Sequence, residues 1–195
     1  MTKLPFKVAL AFSLLLMNTV PANAGQSVGA QLNQDLNTIF SLIKSFNTYS
    51  DATDENSTME DLRKGPAQEE EIFAKLRVAL KHYNKVLTVN WKRLPVKNNE
   101  LFPARDTLLD LYTQTSNWVN VASAQESLTY RTFKECYLLE SFEAYSKCVS
   151  DYPNSAAIIK GVTDKQAAAS QRMAKPVTKF QEWAASLKKN STKTP

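Results

Sequence analysis

Apolar residues recur along this chain at helical spacing. Val28, Leu32, Leu36, Ile39, Ile43, Phe46 and Tyr49 follow one another at steps of 4, 4, 3, 4, 3 and 3, the signature of one helix face. Residues 50–65 turn polar and acidic and read as a loop, with Ser57-x-x-Glu60 as a capping pattern for a short turn. Gly65-Pro66 then predicts the start of a second helix, because proline suits a first turn where no amide donor is needed. Its apolar face is Ile72, Leu76, Leu80, Tyr83, Leu87 and Leu94, and Pro95 is expected to close it. Glu69, Glu70 and Glu71 lie near its start and Lys92 and Arg93 near its end, in accord with the helix dipole.

From Ala104 to Tyr152 there is neither glycine nor proline, and one unbroken helix of that length would reach roughly 70 Å. A compact domain cannot hold it, so a break is required. Ser123-x-x-Glu126, another capping pattern, is the expected place, after an apolar series of Leu108, Leu109, Tyr112, Trp118, Val119 and Ala122. Leu138, Phe142, Tyr145, Val149 and Tyr152 form the next face, ended by Pro153-Asn154. A short helix with Ile158 and Ile159 is expected to stop at Gly161. A last long helix, capped by Thr163-x-x-Gln166, then carries Met173, Val177, Phe180, Ala184 and Leu187 in phase through Pro176, where a kink is expected but no end. The fold class is therefore all-α: four to five amphipathic helices in an antiparallel bundle or an irregular helical array.

The segment before these helices has a different pattern. Lys3 and Lys7 precede an apolar run from Val8 to Met17, and Pro21 leads into Ala22-Asn23-Ala24, so residues 1–24 read as a cleavable signal peptide. The run is about half of the roughly 20 residues needed to span a bilayer. Residues 25–189 are then expected to form a single helical domain, with 190–195 a short basic tail, in a protein exported to the periplasm or the extracellular space. Loss of Lys3 and Lys7 lowers the formal charge from +5 to +3, too little to argue for nucleic acid as a partner. No later segment reads as transmembrane. The chain has only four glycines, which disfavours hairpins and phosphate loops.

Cys136 and Cys148 are the only cysteines, and an oxidising compartment would favour joining them. In a continuous helix their Cα atoms would stand about 18 Å apart, beyond the reach of a disulfide. Either the helix breaks between them, with Ser141 after Glu140 capping a new turn, or the thiols are free or pair between chains.

Catalytic patterns are sparse. His82 is the only histidine, which excludes a metal site with two imidazoles in one chain. It reads as a partly exposed helix residue, and its pairing with Met59 or Met173 around a haem has only chance composition behind it. Ser41-x-x-Lys44 and Ser186-x-x-Lys189 lack the partner motifs of serine-lysine enzymes, and Glu140-Ser141 lacks the glycine-rich loops of a transglycosylase. No catalytic residue, cofactor or metal ligand is assigned. Arg77, Lys81, Lys85 and Lys92 fall close to one stripe of the second helix, with Trp91 beside them. They form a candidate interaction surface for an acidic protein or, more weakly, an anionic surface, unless the acidic 51–61 segment lies against them. The expected function is a non-enzymatic protein-protein interaction module, such as an envelope adaptor, inhibitor, chaperone or secretion accessory. The alternative is a carrier of a small apolar ligand inside the bundle.

Overall fold

The structure, a computed structural model, describes residues 28–52, 58–99 and 102–191, with side chains described as far as Tyr49 in the first stretch and Ser186 in the last. The expected signal peptide and residues 192–195 of the basic tail lie outside the described residues. Five α-helices and no strand are found among the described residues: α1 (Val28–Ala52), α2 (Met59–Val89), α3 (Arg105–Phe133), α4 (Phe142–Asp151) and α5 (Ser155–Ser191).

Side-chain contacts set the helix directions. Asp35 meets His82 while Tyr49 meets Asp61, so α1 and α2 run antiparallel. Glu70 meets Ser123 while Tyr83 meets Leu108, which makes α3 antiparallel to α2. Trp118 meets Ser170 while Glu126 meets Gln166, and α5 is antiparallel to α3. The four long helices thus run up-down-up-down as a bundle, and the short α4 belongs to one end of it. The main core draws Leu32, Leu36, Ile39, Ile43 and Phe46 from α1, the stripe expected there, together with Leu76, Tyr83, Trp118 and Met173 from α2, α3 and α5. Phe73, 1% exposed, takes the inward position on α2 where Ile72 was expected.

Several boundaries differ from expectation. The polar 50–65 segment is not one loop: α1 runs to Ala52, and α2 begins at Met59, so Gly65 and Pro66 lie inside α2. Its cap is Thr58, whose hydroxyl accepts the Asp61 amide at 3.2 Å while the Asp61 carboxylate accepts the Thr58 amide at 3.0 Å. The capping pattern is therefore one residue later than Ser57-x-x-Glu60, and it opens the long helix. Gly65 serves close approach, since a Cβ there would sit 3.0 Å from the Tyr49 hydroxyl. At its other end α2 stops at Val89 before Pro95 is reached. The Asn90 side-chain amide donates to the Val86 carbonyl at 2.8 Å, and Trp91–Arg93 tighten into a 3₁₀ turn.

No break occurs at Ser123. That residue is buried in mid-α3, and its hydroxyl is engaged sideways by Arg77 and Glu70 of α2, which leaves none of the geometry of a cap. The break falls after Phe133: residues 136–138 make a 3₁₀ turn, and Ser141 caps α4 by accepting the Ala144 amide at 3.2 Å. Nor does a helix end at Gly161. The Thr163 hydroxyl donates back to the Ile159 carbonyl and Gln166 reaches α3, so the expected cap is ordinary helix interior in α5, which also continues through Pro176 and as far as Ser191.

Candidate functional site

The break that separates α3 from α4 brings the cysteines together. Cys136 and Cys148 form a disulfide with Cα atoms 5.6 Å apart. The bond staples the 3₁₀ turn to α4, and Met59, Leu62, Phe133, Tyr145, Val149, Ile158 and Ile159 pack around it as a second apolar cluster at one end of the bundle. Arg63 of α2 ties this cap down: its guanidinium donates to the carbonyls of Tyr137 at 2.8 Å and Leu139 at 2.9 Å. The carbonyls at the end of a 3₁₀ turn lack partners within it, and a cation suits them.

A polar layer divides this cap from the main core. Seven residues inward from Leu62, Phe133 and Ile159 stand Glu69, Glu126 and Gln166, about 10 Å along their helices. Seven further on come Leu76, Val119 and Met173, all in the main core. Glu69 and Glu126 are partly buried, and Gln166 is 6% exposed. The Gln166 amide donates to Glu126 Oε1 at 2.8 Å. Neither carboxylate forms an ion pair among the described residues. Burial first, and then the Glu126 carboxylate, push the Glu69 carboxyl up to about 8. Burial also raises Glu126, partly offset by its hydrogen bond from Gln166. Above them, Tyr137 and Tyr145 hydrogen bond to each other, and burial raises both phenols. Tyr49 of α1 borders the same region; burial raises its phenol, with Glu69 and Asp61 adding to the effect.

This layer was missed in the sequence because Glu69 stands in a run of three glutamates that fits the helix dipole. In the fold the three diverge by about 100° each. Glu69 turns inward, Glu70 pairs with Arg77 at 2.8 Å and Glu71 pairs with Lys75 at 2.6 Å. The available signal was the seven-residue interval between Leu62, Glu69 and Leu76, which puts a carboxylate in an apolar seam. Glu126 was likewise read as half of a capping pattern.

The proposed interaction residues are divided among environments. Lys81 and Lys85 are exposed on the outer face of α2, and Lys92 is exposed on the 3₁₀ turn that follows. Val78 and Val89, 70% and 74% exposed, lie on that same face at i, i+11. Val96, Arg93 and Lys97 are exposed beyond it. Lys81, Lys85, Lys92, Arg93 and Lys97 make no ion pair among the described residues. Arg77 leaves the stripe and turns to α3, where it donates to Ser123 at 2.6 Å. Trp91 is half-buried on the main core with the Arg105 guanidinium 4.9 Å from its ring centroid. Of the acidic 51–61 segment, Asp61 is engaged in the cap of α2, about 30 Å along that helix from Lys81, while Asp54 and Glu55 lie outside the described residues.

His82 is exposed, with Nδ1 2.8 Å from both carboxylate oxygens of Asp35, and stands about 20 Å along α2 from Glu69. Met59 lies in the cap cluster and Met173 in the main core. No group of three or more acidic, histidine or cysteine side chains that could hold a metal is found among the described residues. No helix among them is long and apolar enough to cross a membrane. Comparison with protein-family models, characterised proteins and solved structures finds no match.

Proposed function

We propose that the protein is a non-enzymatic helical interaction module acting after export, and that it docks an acidic protein surface through the outer face of the second half of α2. The observation that carries this reading is the face itself. Two valines exposed by 70% and more are interleaved with Lys81 and Lys85, and Lys92 extends the same charge past the helix end, with no counter-ion among the described residues. Unpaired cations steer an acidic partner toward the surface, and valines set among them add apolar contact once water is displaced. The only imidazole is far from the carboxylate layer and both thiols are joined, which supports a role without catalysis. A cargo-carrying role would need room inside the bundle. At its middle that room is filled by Phe46, Phe73 and Trp118, whose ring centroids lie 4.9 to 6.5 Å apart.

Cross-linking and pull-down from the protein's own compartment test the docking face, comparing wild type with Lys81→Glu/Lys85→Glu. The double variant keeps its fold, because exposed helix substitutions cost about 0.5 kcal/mol or less. Wild type captures a defined partner that the variant loses, and capture weakens as salt rises. Equal capture by both proteins removes the docking role from this face.

A further inference from the structure

The cap and the bundle meet across two carboxylates, Glu69 and Glu126, that form no ion pair among the described residues. α1 contributes the Tyr49 hydroxyl, α2 contributes Glu69 and Arg63, α3 contributes Glu126, the 3₁₀ turn contributes Tyr137, α4 contributes Tyr145 and α5 contributes Gln166. Two arginines of the described residues flank the layer and both are engaged elsewhere: the Arg63 guanidinium on the carbonyls of residues 137–139, and that of Arg77 on Glu70 and Ser123. The Gln166 amide donates to Glu126, and the Glu69 carboxyl accepts no hydrogen bond among the described residues. Two like charges held close and withdrawn from water oppose each other, so the pair is most compatible with the closed cap when one proton remains on it.

From this arrangement we infer that the Glu69–Glu126 layer is a proton-dependent latch: the stapled cap of residues 136–152 stays docked while the pair holds a proton and loosens from the bundle when both carboxylates are ionised. The disulfide gives the motion its form. It holds the 3₁₀ turn and α4 together as one unit, so loosening separates the cap from α2, α3 and α5 without unravelling it. Tyr137, whose phenol feels both glutamates, lies at the seam where the separation begins. Charge on the pair acts in the expected direction. The Glu69 carboxyl titrates near 8 with the cap closed, mainly because of burial, and water admitted by an open cap lowers it toward its ordinary 4.5. The closed state therefore binds the proton more strongly, and its advantage is complete in acid and lost as pH rises through about 8. The inference is independent of the docking face on α2, which lies toward the other end of that helix.

Hydrogen exchange of the full chain followed by mass spectrometry, at about pH 6 and about pH 9 and corrected for the intrinsic rate of each amide, reads the latch directly. Amides of 136–152 are expected to lose about ten-fold or more of their protection at the higher pH, while those of mid-α3 and mid-α5 keep theirs. Glu69→Gln, a neutral side chain of the same shape, is expected to keep the cap protected at both values, and Glu126→Gln to do the same. Equal cap protection at the two pH values in wild type overturns the latch, whatever the variants do. So does a loss of protection that persists unchanged in a folded Glu69→Gln or Glu126→Gln protein.

Discussion

Ser141 and Ser123 carry the same side chain and met opposite fates, which shows what a capping residue needs. At Ser141 the backbone is extended and the hydroxyl accepts an amide of the following turn, so a helix begins. At Ser123 an arginine and a glutamate from α2 occupy the hydroxyl, and α3 passes through. The cysteine spacing pointed to the first, because only a break could bring Cys136 and Cys148 within reach. Nothing local identified the second, since its partners stand 46 and 53 residues away. The cysteines define a prediction at this scale. Cys136→Ser with Cys148→Ser closes no loop in the unfolded chain, so the double variant is expected to lose roughly 2–4 kcal/mol in a urea titration. A loss confined to the amides of the cap would show instead that the staple acts locally. Glu69 defines another. Its raised carboxyl makes stability fall as pH rises from about 4.5 to about 8, so the wild-type melting temperature should decline across that window more than that of Glu69→Gln.

Helices were legible as faces and much less so as segments. Periodicity located the buried stripes of α1, α2 and the later part of α5, because burial on one side imposes a 3.6-residue repeat whatever the ends do. The ends rest on single hydrogen bonds and on packing. Gly65-Pro66 looks like a helix start, yet Thr58 already supplies a reciprocal cap seven residues before Gly65, and α2 absorbs the proline. Thr58→Ala removes the hydroxyl acceptor and is expected to cost about 1 kcal/mol, with fraying confined to the first turns of α2 in hydrogen exchange. Within the seam, the polar layer could be read only by treating Glu69, Glu126 and Gln166 together. Each is unremarkable in its own helix, and their convergence depends on the antiparallel register of α2, α3 and α5. Leu76→Ala, one step deeper in the same seam at 0% exposure, should cost about 2–5 kcal/mol in the same titration.

Taken whole, the molecule has two ends with different chemistry. One end is closed by the stapled cap over a carboxylate layer, with Glu135, Glu140, Glu143 and Asp151 exposed around it. Toward the other end, α2 presents Lys81, Lys85 and Lys92 among exposed valines. The all-α class was plain from the sequence, since glycine is scarce and helical periodicity runs through the chain. The proposed docking face was only half legible: the lysine spacing was visible, but Arg77 and Trp91 were drawn aside by Ser123 and Arg105 of α3, which periodicity cannot foresee. Engagement of an acidic protein by this face is read in the rate of association. With the partner captured above, the association rate of wild type should fall steeply as ionic strength rises past about 0.15 M, where screening acts over about 8 Å, and Lys81→Glu/Lys85→Glu should associate more slowly at every salt concentration. Association that is independent of salt and equal in the two proteins would rule out docking through this face.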